Sequence, residues 1–218
     1  MNRLSAVTRR LALFAVPLTL FVGGCTDSPA DDPAPKPAAA ERPSPFRDCA
    51  ALGTAPTPSP GAVSATPDAG ATAAAAGGQE LPALTLPCFT GGAPVALRDV
   101  AGPAVINVWA SWCGPCRKEL PAFQRLSERT SGRLQVVGVN TRDSRGGAQA
   151  IGEDFGVRFP VLVDQGDALQ RELRRNAFPL TLFVDAAGRI RHIDATGALD
   201  DAQLGTLVRE HLGVAVPA

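Results

Sequence analysis

A charge excess of either sign is missing from this chain: Lys+Arg and Asp+Glu both number 21 among its 218 residues. Residues 81–218 alone hold 15 basic and 14 acidic side chains, so no hidden basic field recommends a nucleic acid as partner. Also absent is an apolar run of the roughly 20 residues that a membrane-spanning helix needs. There is no Gly-rich phosphate loop, no paired-carboxylate motif, no Gly-x-Ser-x-Gly and no internal repeat. Histidine is scarce: His192 and His211 both lie far in sequence from the one Cys-x-x-Cys pair, which fits structural or solvent-facing roles. A zinc ion at that pair would have to borrow Cys49, Cys88 or a histidine, since no second Cys-x-x-Cys and no His-x-x-x-His exists.

What is present centres on Val105-Ile106-Asn107-Val108-Trp109-Ala110-Ser111-Trp112-Cys113-Gly114-Pro115-Cys116-Arg117-Lys118-Glu119-Leu120-Pro121. The apolar run ending in Trp109 reads as a buried strand, and the pattern after Cys113 reads as a helix. Thiols three residues apart share one helix face, within reach of a disulfide. Cys113 falls at the helix start, where unpaired N–H groups and the positive dipole end favour a thiolate. Pro115 occupies the first turn, where a missing N–H costs little. The residues suit a dithiol that opens and closes.

Trp112-Cys113-Gly114-Pro115-Cys116 resembles the active site of the thioredoxin superfamily. The longer frame from Asn107 to Pro121 resembles its extracytoplasmic TlpA/ResA-like (CcmG-like) branch, and the likeness extends from about Leu81 to the C-terminus. It implies a thiol–disulfide oxidoreductase with Cys113 as nucleophile and Cys116 as the resolving thiol, acting without a bound cofactor. In cytoplasmic thioredoxins a buried aspartate stands six residues before the first cysteine; that position is Asn107 here, which cannot titrate. The branch places its acid three residues after the second cysteine, which is Glu119. A carboxylate there would relay a thiol proton and tend to raise the thiol pKa values; a solvated first-turn glutamate is the plainer alternative. Phe178-Pro179 matches the superfamily's cis-proline turn facing the dithiol, with Trp112 completing the substrate-binding set. The neighbouring backbone would pair with an extended substrate. Relatives place a smaller or β-branched residue where Phe178 stands, so Phe178 is a departure that would narrow or grease the groove.

The N-terminus reads as an export signal. Arg3, Arg9 and Arg10 precede an apolar run of 12 at residues 11–22, broken once by Pro17. Val22-Gly23-Gly24-Cys25 resembles a bacterial lipobox, which implies lipidation of Cys25 and a membrane anchor on the extracytoplasmic face. An ordinary secretory signal with an incidental cysteine is the alternative, and Thr8-Arg9-Arg10-Leu11 leaves a twin-arginine route open. Residues 26–80 are dominated by Pro, Ala, Gly, Ser and Thr, a composition that buries too little to offset ordering entropy and so predicts a disordered tether. One island, 46–52, surrounds Cys49.

With Cys25 assigned to lipid and Cys113/Cys116 to the redox pair, Cys49 and Cys88 remain as an even pair in an oxidising compartment. A structural disulfide between them would clip the island to the domain edge. Closing a loop of that length is worth roughly 4 kcal/mol at most by chain entropy. The alternative makes one of them a third redox partner.

Residues 81–218 predict a single domain of class α/β. Residues 81–89 form an edge segment and 95–100 a short strand or turn. Strands follow at 104–109, 134–139 and 161–163, and a hairpin at 180–184 and 190–193. Helices are expected at 113–129 with a kink at Pro121, at 148–155, at 167–174 with Asp167 as cap, and at 200–211. The result is a thioredoxin-like sandwich: a mixed central sheet flanked by helices, with an inserted helix-strand unit at 148–163 and an N-terminal extension. Arg171, Arg174 and Arg175 read as a solvated helix face.

The resemblance to the TlpA/ResA-like branch implies reduction of disulfides in exported proteins, apocytochrome c among them, with electrons from a membrane thiol relay. Three alternatives remain: a dithiol oxidant, which the Gly-Pro between the cysteines disfavours; a thiol peroxidase, whose Pro-x-x-x-Thr-x-x-Cys pattern is missing; and a copper-binding assembly factor, which wants Cys-x-x-x-Cys.

Overall fold

The computed structural model describes residues 42–56 and 78–217. The expected signal segment 1–25, Cys25 and most of the expected tether lie outside the described residues.

Eight strands and four α-helices follow one another in the described chain. β1 (Gln79–Glu80), β2 (Thr85–Leu86) and β3 (Val95–Ala96) are short and precede β4 (Ala104–Trp109). Then come α1 (Gly114–Arg129), β5 (Gln135–Thr141), α2 (Arg145–Asp154), β6 (Val161–Asp164) and α3 (Ala168–Glu172). The hairpin β7 (Leu180–Val184) and β8 (Arg189–Asp194) leads to α4 (Asp201–Leu212). The main sheet runs β1-β8-β7-β4-β5-β6, with β4, β5 and β6 parallel and the β4–β7, β7–β8 and β8–β1 pairings antiparallel. β2 and β3 form a separate two-stranded ribbon.

All six residues of β4 are buried, as the central strand of a sheet covered on both faces requires. Val105 and Trp109 pack with α1 residues Leu120 and Phe123 on one side, while Ala104, Ile106 and Val108 join Leu169 and Leu180 on the other. This alternation puts Asn107 on the α1 side, in register with Gly138 of β5 and Thr181 of β7. A Cβ on Gly138 would stand 2.9 Å from the indole nitrogen of Trp109, so a side chain there has no room.

α1 runs through Pro121 to Arg129, ends at Thr130, and buries Cys116, Glu119, Leu120 and Phe123. α4 carries a capping box between Asp200 and Gln203 and stops at Gly213, whose φ of 67° suits a residue without a Cβ. His192 of β8 and His211 of α4 stack with ring centroids 4.1 Å apart beside Phe183, which gives both histidines a packing role.

Several boundaries depart from the sequence expectation. α2 begins at Arg145 because Ser144 accepts from Gly147 N–H and caps it. α3 is shorter than expected, and Asp167 does not cap it: its φ is 57° and its side chain makes no capping bond. The buried Asp164 carboxylate does that work, accepting from the N–H groups of Gly166, Ala168 and Leu169. The Pro87–Phe89 stretch pairs with β6 through Phe89 N–H to Val161 O and Val163 N–H to Pro87 O. It therefore closes that sheet edge.

Residues 42–56 lie on the domain. Phe46 is buried edge-on to Phe89, with centroids 4.7 Å apart, and 6.3 Å from Trp109. Gly152 of α2 admits it, since a Cβ there would come within 2.6 Å of the Phe46 ring. Cys49 and Cys88 are joined by a disulfide beside this contact, across 39 residues of sequence.

Candidate active site

The turn between β4 and α1 carries the dithiol. Cys113 and Cys116 form a disulfide with Cα atoms 5.3 Å apart. Cys113 occupies the N-cap of α1 in extended conformation, and its Sγ accepts the Cys116 N–H at 3.1 Å. That donor is one of the unpaired N–H groups of the helix start, placed where a Cys113 thiolate would use it. A nucleophile at a helix start is expected to be partly exposed, but the exposure of Cys113 is only 4 %. Cys116 is deeper still, with none of its surface accessible.

One turn along α1, Glu119 is 1 % exposed. The solvated-glutamate alternative is thereby excluded. Its Oε1 accepts from Asn107 Nδ2 at 2.7 Å and its Oε2 from Leu199 N–H at 3.1 Å. Burial pushes its pKa up from 4.5 to about 7; the two hydrogen bonds oppose this and the charge of Asp194 adds to it. A carboxyl group near pH 7 can both take and return a proton. Asn107 also reaches Thr181 Oγ1 at 3.4 Å, while its own Oδ1 is buried without a hydrogen-bond partner.

Above the dithiol, Trp112 is 56 % exposed. Its ring meets Phe178 edge-on at 5.0 Å, and the Phe178–Pro179 peptide bond is cis. Trp112, Phe178 and Pro179 therefore share the rim of one site. Residues that sequence reasoning did not single out hold that rim in place. Asp143 accepts from Ser111 N–H at 2.5 Å, Ser111 Oγ at 2.6 Å and Asn140 Nδ2 at 2.8 Å. The indole N–H of Trp112 donates to Arg142 O at 2.9 Å. Nothing local in the sequence announces the Ser111–Asp143 and Trp112–Arg142 bonds, because they join segments about thirty residues apart through the parallel pairing of β4 and β5. Cys88 pairs with Leu162 of the edge strand β6, two strands from β4, and the Cys49–Cys88 bridge lies outside this group.

Residues 77–193, more than half of the chain, match the model of the AhpC/TSA family. The chain belongs to that family. The chain is 28% identical over 139 residues to thioredoxin-like protein YneN of Bacillus subtilis, covering 62% of this chain and 75% of YneN. It is 32% identical over 126 residues to thiol:disulfide interchange protein HelX of Rhodobacter capsulatus, covering 56% of this chain and 70% of HelX. Against other relatives the match spans less, down to 54% of a Paracoccus denitrificans DsbE homolog. Among solved structures, a Chlorobium tepidum protein assigned as thiol:disulfide interchange protein DsbE superposes with a TM-score of 0.56 at 27% identity, over 62% of this chain and 97% of that one. The fold is thioredoxin-like, and the family branch is that of the ResA/DsbE thiol–disulfide oxidoreductases.

Proposed function

We propose that this protein is an extracytoplasmic reductant of protein disulfides, with Cys113 as the attacking and Cys116 as the resolving sulfur. The observation that carries the reading is the asymmetry of the pair: Cys113 sits at the α1 N-cap beside the Trp112–Phe178 rim, while Cys116 is buried one turn from Glu119.

In the reduced enzyme the Cys113 thiolate attacks one sulfur of a substrate disulfide. The substrate's other sulfur leaves as a thiolate and is protonated. Cys116 then gives up its proton, for which Glu119 is the nearby acceptor, and attacks Cys113 Sγ. The second substrate thiol is released and the enzyme is left as the disulfide. Two electrons pass to the substrate, and a dithiol donor must return them; a membrane thiol relay fits that need. An extended substrate segment would lie along the backbone next to Pro179. Apocytochrome c with its Cys-x-x-Cys-His is one substrate of the right chemistry. Lipidation at Cys25 would hold the enzyme at the membrane surface, and the Cys49–Cys88 bridge is structural. Among the described residues no helix is long and apolar enough to cross a membrane.

The Gly114-Pro115 dipeptide supports the reducing direction. Titrating the Cys113/Cys116 couple of the full chain in glutathione and dithiothreitol buffers tests it. A potential around −250 mV or lower, near that of thioredoxin, is expected. A value of about −120 to −180 mV would make the protein an oxidant.

A further inference from the structure

The end of α3 and the loop after β5 enclose a depression of about 350 Å³ beside the dithiol rim. Arg142, Arg171, Arg174 and Arg175 line it against a single carboxylate, Asp167. Asp167 is already engaged by Arg171 and, at 3.8 Å, by Arg142. Arg174 and Arg175 are exposed and make no ion pair among the described residues. They are not a helix face, because α3 ends at Glu172 and both follow it on the loop that leads into Phe178–Pro179. Buried Gln170 fixes that loop by donating to Ala177 O at 2.7 Å.

The depression is continuous with the dithiol rim through one residue. The Arg142 guanidinium carbon lies 5.0 Å from the Phe178 ring centroid and 5.9 Å from that of Trp112, and its carbonyl holds the Trp112 indole. Two of the four arginines have left-handed backbones, Arg142 at φ 48° and Arg174 at φ 52°. Glycine or asparagine would take that conformation at lower cost. Outliers of this kind cluster where a side chain has a task.

Resting on the reading above, we propose that this arginine-lined depression is a substrate subsite that binds Asp and Glu side chains flanking the cysteine with which Cys113 exchanges. Guanidinium groups match carboxylates with paired N–H donors. A segment lying across the cis-proline rim would bring its neighbouring residues over Arg142 and toward Arg174 and Arg175. The selected substrates are proteins whose disulfides sit in acidic surroundings.

The test is exchange by the reduced full chain with disulfide-linked peptides identical except for Asp/Glu, Asn/Gln or Lys a few positions from the cysteine, together with a small uncharged disulfide. The expected result is a kcat/KM for the acidic peptide roughly tenfold or more above that for the lysine peptide at low salt. The ratio should fall toward one at about 1 M salt, where the Debye length is about 3 Å. In R174E/R175E the ratio, which is independent of how active the variant is overall, should drop to one or below. Exchange with every peptide at the same rate, or a ratio untouched in R174E/R175E, overturns the subsite and leaves the reductant reading standing. No exchange with any peptide or with the small disulfide overturns both. If the ratio stays near one while the protein sediments with anionic vesicles and R174E/R175E does not, the arginines serve a membrane surface and the substrate subsite is overturned.

Discussion

The amide of Asn107 on β4 donates to Glu119 on α1 across 2.7 Å, and this bond joins the central strand to the helix that carries the dithiol. The acid has moved from strand to helix relative to the arrangement in cytoplasmic thioredoxins, and the strand residue has become its hydrogen-bond donor. The interior position of Glu119 follows from this: a carboxylate without Asn107 Nδ2 and Leu199 N–H would be unpaired in the core.

Glu119 makes stability depend on pH with a definite sign. Its pKa is about 7 in the folded protein and 4.5 ordinarily, so the folded state keeps a proton that the unfolded chain has lost. Its favourable contribution is complete below about pH 4.5 and disappears as pH rises through about 7. The loss amounts to about 3 kcal/mol by linkage. Urea unfolding of the oxidised protein between pH 4.5 and 8.5 should show it. E119Q can still accept from Leu199 N–H and, with the Asn107 amide turned over, donate to Asn107 Oδ1. It should show none of the loss that the wild type suffers as pH rises toward 8.5. A wild-type curve of the same shape as that of E119Q would refute the raised pKa.

His211 acts in the opposite direction at lower pH. Burial lowers its pKa, the neighbouring His192 and Arg191 lower it further, and Glu210 partly offsets them. The folded state therefore resists protonation, and stability falls as pH drops below the unfolded value of 6.5. The E119Q background isolates this slope. In E119Q/H211Q the acid-side decline should be shallower; an unchanged decline would assign it to other groups.

The 42–56 segment is held by Phe46 as well as by its disulfide. F46A removes a buried ring from contact with Phe89 and Trp109 and should cost about 3 kcal/mol. In a Trp112→Phe background, where Trp109 is the sole indole, its emission should shift to the red as water enters. Replacing Cys49 and Cys88 together by alanine should cost about 2–4 kcal/mol. If thiol exchange at Cys113 slowed in the same proportion, Cys49 or Cys88 would belong to the redox pathway and not only to the clip.

Local signals explain what could be read in the sequence. The all-apolar β4, the Cys113 cap and Pro115 each involve neighbours a few residues apart, and a strand and helix start follow directly. Glu119 needed more: its spacing from Cys116 gives its turn on α1, but only the packing of α1 against Asn107 and Leu199 shows that its side chain is buried. Arg142 and Asp143 were illegible because their partners, Trp112 and Ser111, are about thirty residues away and meet them only where the C-terminal ends of the parallel strands β4 and β5 lie side by side. The arginines after α3 were misread for a simpler reason. Asp164, not Asp167, anchors that helix, which ends early enough to put Arg174 and Arg175 in a loop.

The division of labour between the two sulfurs predicts opposite behaviour for two serine variants. C116S keeps the attacking Cys113 and loses the thiol that expels the substrate, so mixed disulfides should accumulate with any protein it engages. C113S leaves Cys116, whose surface is wholly buried, and should form few such adducts. Expressing each variant in a disulfide-forming compartment, quenching with acid and running non-reducing gels separates the cases. Adducts confined to C116S, and released by dithiothreitol, fit attack by Cys113. Adducts of equal yield with C113S would mean that Cys116 reaches substrate directly, and the order of attack would have to be reversed.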